Sequence, residues 1–202
     1  VLMTVENTDP NCYWLTNFVE TLLLQVWYPC TVATISRECK KVISSYMNMT
    51  GGDLSSLPFK LHDFGFRAST SKESAAIGGA AHLVNFMGTD TVAGLMLAKK
   101  YYNEPMAGNS VCAAEHSTIT SWGRDREADA YENMLDQFPT GIVAVVSDSY
   151  DIYNACKNIW GGKLKDKVLN RDGVLVVRPD SGDPDLVVSE VLNVLGEAFG
   201  YT

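Results

Sequence analysis

Arg178-Pro179-Asp180-Ser181-Gly182-Asp183 sets a cation, a carboxylate and a hydroxyl between an apolar run and a helix start. A guanidinium at Arg178 suits multidentate contact with phosphate, Asp180 suits a sugar hydroxyl, and the N-terminus of the helix that follows suits an anion. Ala113-Ala114-Glu115-His116-Ser117 is a second such stretch: carboxylate, imidazole and hydroxyl adjoin one another after two small residues. Histidine there can serve as nucleophile or proton carrier near neutral pH. Ser147-Asp148-Ser149-Tyr150-Asp151 follows a wholly apolar run, so Asp148 either orients a histidine from a neighbouring strand or caps a helix. Spacing alone weighs the two equally.

Two earlier stretches add to this inventory. Leu61-His62-Asp63-Phe64-Gly65-Phe66-Arg67 joins aromatic rings, a glycine and a cation in one turn. It is either a stacking face with a phosphate-binding Arg67 or a solvated arginine beside core rings. Gly88-Thr89-Asp90-Thr91 offers Asp90 to a ligand amide or hydroxyl, although an N-cap is the simpler reading of its position. Of the other histidines, His82 reads as a satisfied core residue and His62 as a prop for its turn. No G-x-x-x-x-G-K-[ST] and no G-x-G-x-x-G occurs, so neither a P-loop nor a Rossmann fingerprint is supported. Two arginines, several carboxylates, a histidine and a stacking ring suit sugar-phosphate transfer better than proteolysis, hydride transfer or metal hydrolysis.

The elements that must position these groups are read from periodicity. Asp9-Pro10 starts a helix that carries Trp14, Phe18, Leu22 and Val26 as far as Pro29. Thr31–Ile35 reads as a short strand, and Ser36 as the cap of a second helix. Thr70 and Glu73 form a capping box for an Ala/Gly-rich helix to about His82, followed by a strand at Leu83–Phe86 and a helix from Thr91 to Tyr102. Tyr131, Met134, Leu135 and Phe138 form a helical stripe. Ile142–Val146 and Val174–Val177 read as strands buried on both faces, with a helix over Ile152, Cys156 and Ile159 between them, ending at Gly161-Gly162. Asp183-Pro184 opens the last helix.

Arg67, Asp90, His116, Asp148 and Arg178 recur at roughly the length of one βα unit, which would bring one polar group per unit to the carboxyl edge of a parallel sheet. The expectation is an α/β fold, first a portion of a (β/α) barrel and second an open doubly wound sheet. Residues 1–60 are then a helical and short-strand segment leading into it, and 61–202 its βα-repeating part.

Hydrophobic residues at 46% and charged residues at 20% are those of a folded chain, not a disordered one. A net charge of -8 without a basic run argues against nucleic acid. The five dispersed cysteines contain no C-x-x-C, which supports neither a zinc site nor a disulfide framework. No stretch reads as a membrane span or a signal peptide, so the expectation is a cytoplasmic protein. Both ends read as interior to a longer chain.

The segments Leu61–Arg67, Leu83–Ala93, Ala113–Gly123, Val145–Ala155 and Val177–Gly182 resemble those of the nicotinamide phosphoribosyltransferase family, as does Glu6–Pro10 through Tyr28-Pro29. The strings AEHSTIT and VVSDSYDIYNAC are very specific. The resemblance implies a type II phosphoribosyltransferase, a pentosyltransferase of NAD salvage with a barrel-like α/β domain beside a smaller one. It implies nicotinamide, 5-phosphoribosyl 1-diphosphate and ATP as substrates, Mg²⁺ bound with diphosphate, and a homodimer. Residue by residue, Phe64 resembles the ring stacked on nicotinamide, Asp90 the acceptor of its carboxamide, and Ser110 a residue lining that pocket. Arg67 resembles a diphosphate contact, Arg178 a contact to phosphates and nicotinamide, and Asp180 the holder of the ribose hydroxyls. His116 matches the phosphorylated histidine, with Asp148 as its orienting carboxylate. The family's enzymes are considerably longer, so this stretch alone is expected not to turn over. The rivals are nicotinate phosphoribosyltransferase, which Asp90 would disfavour by repelling a carboxylate, and a non-catalytic binding domain.

Overall fold

A computed structural model describes residues 1–201. The chain divides into two compact units, Val1–Ser110 and Val111 onward.

In the first unit Asp9 caps as expected, accepting from the Asn11 amide at 2.9 Å, but it opens only a 3₁₀ turn, Pro10–Cys12. The next element, α1 (Leu15–Met49), is one helix of 35 residues. The expected break at Pro29, the strand at Thr31–Ile35 and the cap at Ser36 are therefore all incorrect. Proline deletes one backbone donor, yet the hydroxyls of Thr31 and Thr34 bond the Trp27 and Cys30 carbonyls four residues back, at 3.0 and 2.7 Å. Ser36 sits mid-helix, buried, against His82. By length and composition α1 is apolar enough to cross a membrane, with mean hydropathy 1.3 over its most apolar window, which corrects the expectation that no segment qualifies.

Strand β1 (His62–Asp63) leads to α2 (Lys72–His82), then β2 (Gly88–Thr89) to α3 (Val92–Tyr102). The α2 cap is Ser71, which accepts from Ser74, one residue after the Thr70 expected. Leu83–Phe86 is a turn and not a strand, because Phe86 folds back, buried, to stack on His82 at 5.4 Å. β1 and β2 pair in parallel. Helices α2 and α3 cross at Gly79 and Gly94, so closely that a Cβ on Gly79 would meet the Thr91 methyl at 2.9 Å.

The second unit holds a parallel three-stranded sheet in sequential order. Its elements are β3 (Cys112–Ala113), α4 (His116–Thr120), α5 (Glu127–Gln137), β4 (Thr140–Val146), α6 (Ile152–Asn154), α7 (Lys165–Leu169), β5 (Asp172–Arg178) and α8 (Pro184–Phe199). Val143, Val145 and Val146 of β4 are fully buried against Tyr131 and Leu135 of α5 and Trp160, as an apolar strand next to a helix requires, but Ile142, expected to be buried with them, is exposed. β5 differs from expectation: Val174 and Val176 on one of its faces are exposed. The helix carrying Ile152, Cys156 and Ile159 does not stop at Gly161-Gly162 but runs on from α6 as a π-helix, Ala155–Lys163. Val187, Val191 and Leu195 of α8 pack on Cys156 and Ile152, as their spacing predicts. Each unit is thus an α/β arrangement of parallel strands followed by helices, with a two-stranded sheet in the first and a three-stranded sheet in the second.

Candidate active site

In the second unit the chemistry gathers where the three strands end. His116 opens α4 just past β3, Asp148 lies two residues past β4, and Arg178 is the last residue of β5, with Asp180 just beyond. The backbone locks these ends together: the Ala114 amide donates to Ala144 at 2.9 Å and the Ser147 amide to Arg178 at 3.0 Å. His116 Nε2 lies 3.0 Å from Asp148 Oδ1. On the other side of the ring, Nδ1 lies 3.9 Å from Asp180 Oδ2. The Asp148 side chain is 5% exposed and its Oδ2 accepts twice more, from the Asp180 amide at 2.8 Å and the Ser181 hydroxyl at 2.6 Å.

Burial works to raise the Asp148 carboxyl, but the hydrogen bonds from Ser181, Asp180 and His116 outweigh it and hold the group below the ordinary carboxylate value. Ionised Asp148 can only accept, so the shared proton sits on Nε2 of His116. A neutral imidazole then turns its lone pair outward at Nδ1. With the ring itself 45% exposed, that nitrogen is the one available to an electrophile. Around this core two buried polar atoms have no partner, Arg178 Nε and Ser149 Oγ. Buried donors without partners in a polar, half-open place are what an anionic ligand would satisfy.

The α8 N-terminus does not offer itself to an anion as expected. Asp183 uses its own carboxylate to accept from the Asp185 and Leu186 amides, at 3.2 and 3.4 Å, and so occupies the first turn with negative charge.

In the first unit the pattern recurs on a smaller scale. Phe64 follows β1 and Asp90 follows β2. Asp90 Oδ1 accepts from the Ser110 hydroxyl and lies 3.0 Å from His62 Nε2. The N-cap position of α3 falls on Thr91 and not on Asp90. The half-exposed Phe64 ring rests against His62, centroids 4.8 Å apart and planes tilted by 35°. Gly88 makes room for this, since any Cβ there would meet His62 Nδ1 at 2.8 Å. Arg67 sits in the 3₁₀ turn Gly65–Ala68 just after Phe64. His82 is the core residue expected, buried between Ser36 and the Gly88 carbonyl.

Each unit thus assembles its own share of the anticipated residues: Phe64, Arg67, Asp90 and Ser110 in the first, His116, Asp148, Arg178 and Asp180 in the second. Two partners escaped the sequence reading. His62 supports Asp90 and Phe64, a role with no local signal because it depends on β1 lying beside β2. Ser181 holds Asp148, and its signal was the S-G that turns the chain after Asp180.

A protein-family description, the nicotinate phosphoribosyltransferase (NAPRTase) family, matches residues 59–202. Nicotinamide phosphoribosyltransferase of Xanthomonas campestris pv. campestris (strain 8004) is 56% identical over 204 residues, covering 100% of this chain and 44% of that protein. The proteins of that name from Acinetobacter baylyi and Mycoplasma pneumoniae are 35% and 34% identical, covering 93% and 94% of this chain and 39% and 40% of theirs. The chain spans less than half the length of these curated relatives. With the strand-end constellation and the family match running through it together, the chain belongs to the nicotinate phosphoribosyltransferase (NAPRTase) family.

Proposed function

We propose that this chain is the part of a nicotinamide phosphoribosyltransferase that carries its phosphoryl-accepting histidine and its nicotinamide contacts. The observation that carries this reading is His116, whose Nε2 is committed to Asp148 at 3.0 Å while Nδ1, on the other side of a half-exposed ring, lies 3.9 Å from Asp180. The names of the relatives support the same activity. In this reading the nicotinamide ring nitrogen attacks ribose C1, the C1–O bond breaks, and its electron pair leaves with diphosphate.

Nicotinamide is neutral and needs orientation more than charge. Phe64 would supply a stacking face, Asp90 would accept from the carboxamide N–H, and Ser110 would line that pocket. Arg67 and Arg178 would oppose charge developing on the leaving diphosphate, and Asp180 would accept from the ribose hydroxyls. ATP would phosphorylate His116 at Nδ1, the γ-phosphorus–oxygen bond breaking with its electrons to ADP. Asp148 would hold the Nε2–H throughout and balance the charge of the ring.

Among the described residues no cluster of three or more His, Cys, Asp or Glu could cage a metal. Mg²⁺ would enter with diphosphate oxygens and one or two carboxylates, for which Asp180 is half exposed. Bound so, Mg²⁺ would offset charge on the diphosphate. The finer expectations stand with this reading: a (β/α) barrel portion, a homodimer, the cytoplasm, and a role in NAD salvage.

Nicotinate is the second reading, favoured by the name of the family. Asp90 opposes it, because two carboxylates facing each other in a partly buried site repel. The test is a competition assay on a protein of the relatives' length carrying this segment, given 5-phosphoribosyl 1-diphosphate, Mg²⁺, ATP and both bases. Nicotinamide mononucleotide as the main product supports the proposal. Nicotinate mononucleotide as the main product, or neither, refutes it.

A further inference from the structure

A buried set of residues lies directly behind the His116–Asp148 pair, and no substrate role assigned above uses it. Ser147, the residue before Asp148, is 0% exposed. Its hydroxyl accepts from the Trp160 indole N–H at 3.0 Å and donates to the Val145 carbonyl at 2.9 Å. Its amide donates to the Arg178 carbonyl at 3.0 Å. One side chain and one amide thus join three elements: β4, the end of β5, and the π-helix that carries Trp160.

The π-helix is a costly element that survives mainly where its wider turn aims a residue. Here it delivers Trp160, fully buried, flat onto Tyr131 of α5, with ring centroids 4.6 Å apart and planes within 8°. The Tyr131 hydroxyl in turn donates to buried Glu127 at 2.8 Å. A shallower indole could make the stacking contact alone. The indole N–H buried onto Ser147 adds a polar constraint, and such a bond inside a core fixes geometry because its loss leaves a donor unsatisfied.

We propose that Trp160 and Ser147 are positioning residues that act on the His116–Asp148 pair from beneath the sheet. The ladder of β4 and β5 sets their register, and by fixing the Ser147 rotamer Trp160 holds the backbone step from the end of β4 into Asp148. That step sets Asp148 Oδ2 within reach of the Asp180 amide and the Ser181 hydroxyl, and leaves Oδ1 for His116. Neither Trp160 nor Ser147 touches a substrate in this scheme. The inference deepens the reading of His116 as the phosphoryl acceptor and rests on it for its functional meaning, but the geometry it claims is tested without turnover.

The experiment uses the 202-residue chain labelled with ¹⁵N-histidine, and measures solvent exchange of the His116 Nε2–H by long-range ¹H–¹⁵N spectroscopy. Asp148→Ala serves as reference for a lost acceptor. Trp160→Phe keeps the stacked ring and removes only the indole N–H, and it should speed exchange about five-fold, the factor that one net hydrogen bond supplies. Ser147→Ala should do the same. Ile159→Val, a buried change on the same π-helix, should lower the unfolding temperature and leave exchange unmoved. Should Trp160→Phe fail to fold, Ser147→Ala carries the test alone. Unchanged exchange in the variants at Trp160 and Ser147, or an equal rise in Ile159→Val, would overturn the inference. Failure of phosphorylation at His116 in an enzyme whose exchange pattern is as stated would instead overturn the functional reading, so the two are separable.

Discussion

Replacing Asp148 by Asn exchanges a carboxylate for a group of the same shape, and the structure fixes what must be lost. The carboxylate accepts three hydrogen bonds, one on Oδ1 from His116 and two on Oδ2 from the Asp180 amide and the Ser181 hydroxyl. An amide has one acceptor oxygen. Turned toward Asp180 and Ser181, it points its NH₂ at His116 Nε2 and expels the proton to Nδ1; turned toward His116, it sets NH₂ against a backbone N–H. The first arrangement keeps three bonds with one of them reversed, the second loses at least one, and in both the bonds lose their charge assistance. At about 1.5–3 kcal/mol for a hydrogen bond to a charged group, the cost is roughly 2–3 kcal/mol. Removing one of the excess negative charges of a chain at net -8 works the other way, by a few tenths of a kcal/mol for screened interactions. The local loss wins. For a domain of this size it lowers the unfolding temperature by roughly 4–12 °C at neutral pH.

The pH dependence has a fixed sign. Asp148 titrates lower in the folded chain than its ordinary value of 3.8, so its contribution is complete above that value and is lost as pH falls through and below it. Thermal unfolding of wild type and Asp148→Asn, followed by circular dichroism between pH 7 and pH 3, should show a gap that is constant down to about pH 5 and narrows below. No gap at neutral pH, or one that persists unchanged at the acid end, would refute the reasoning.

Glu127→Gln should stabilise the chain at neutral pH: burial raises the Glu127 carboxyl above 4.5 despite the Tyr131 bond, so the native state resists its ionisation, and the gain in urea unfolding should vanish once the pH falls below that value. Gly79→Ala should cost about 1–3 kcal/mol, because its methyl would meet the Thr91 methyl at 2.9 Å and the Gly94 backbone at 3.2 Å; the urea midpoint reads this directly. In a protein of the relatives' length, Asp90→Ser should raise the rate with nicotinate relative to nicotinamide by removing a facing charge, and an unchanged ratio of kcat/KM values would leave Asp90 outside the base pocket.

Strand ends were the most legible feature of this sequence. Val143–Val146 runs into Ser147-Asp148, and Val174–Val177 into Arg178-Pro179-Asp180, and the abrupt change from apolar to polar marks where side chains emerge from a parallel sheet. Asp183-Pro184 was equally plain, since cap and first-turn proline are local chemistry. What failed was decided elsewhere in the fold. Pro29 and the β-branched run after it read as a break and a strand, yet the helix continues because Ser36, Lys40 and the Ala33 carbonyl are held by His82 and Asn85. The π-helix left no trace in periodicity, because its stripe of Ile152, Cys156 and Ile159 is compatible with α-helical spacing. His62 was read as a local prop because nothing in sequence shows that β1 and β2 lie side by side, and its partner, Asp90, is 28 residues away. Several roles of the site residues came from resemblance; spacing alone left Asp148 even between orienting a histidine and capping, and favoured a cap for Asp90, whose place the structure gives to Thr91.

The central claim is that His116 accepts phosphate through Nδ1 while Asp148 keeps Nε2. A protein of the relatives' length carrying this segment would be incubated with γ-labelled ATP and Mg²⁺, digested under alkaline conditions, and mapped by mass spectrometry, with ³¹P–¹⁵N coupling locating the phosphorus on the ring. The account predicts an acid-labile phosphoryl group on His116 at Nδ1, absent from His116→Ala and strongly reduced in Asp148→Asn. Phosphate on Nε2, on another residue, or on none would contradict it.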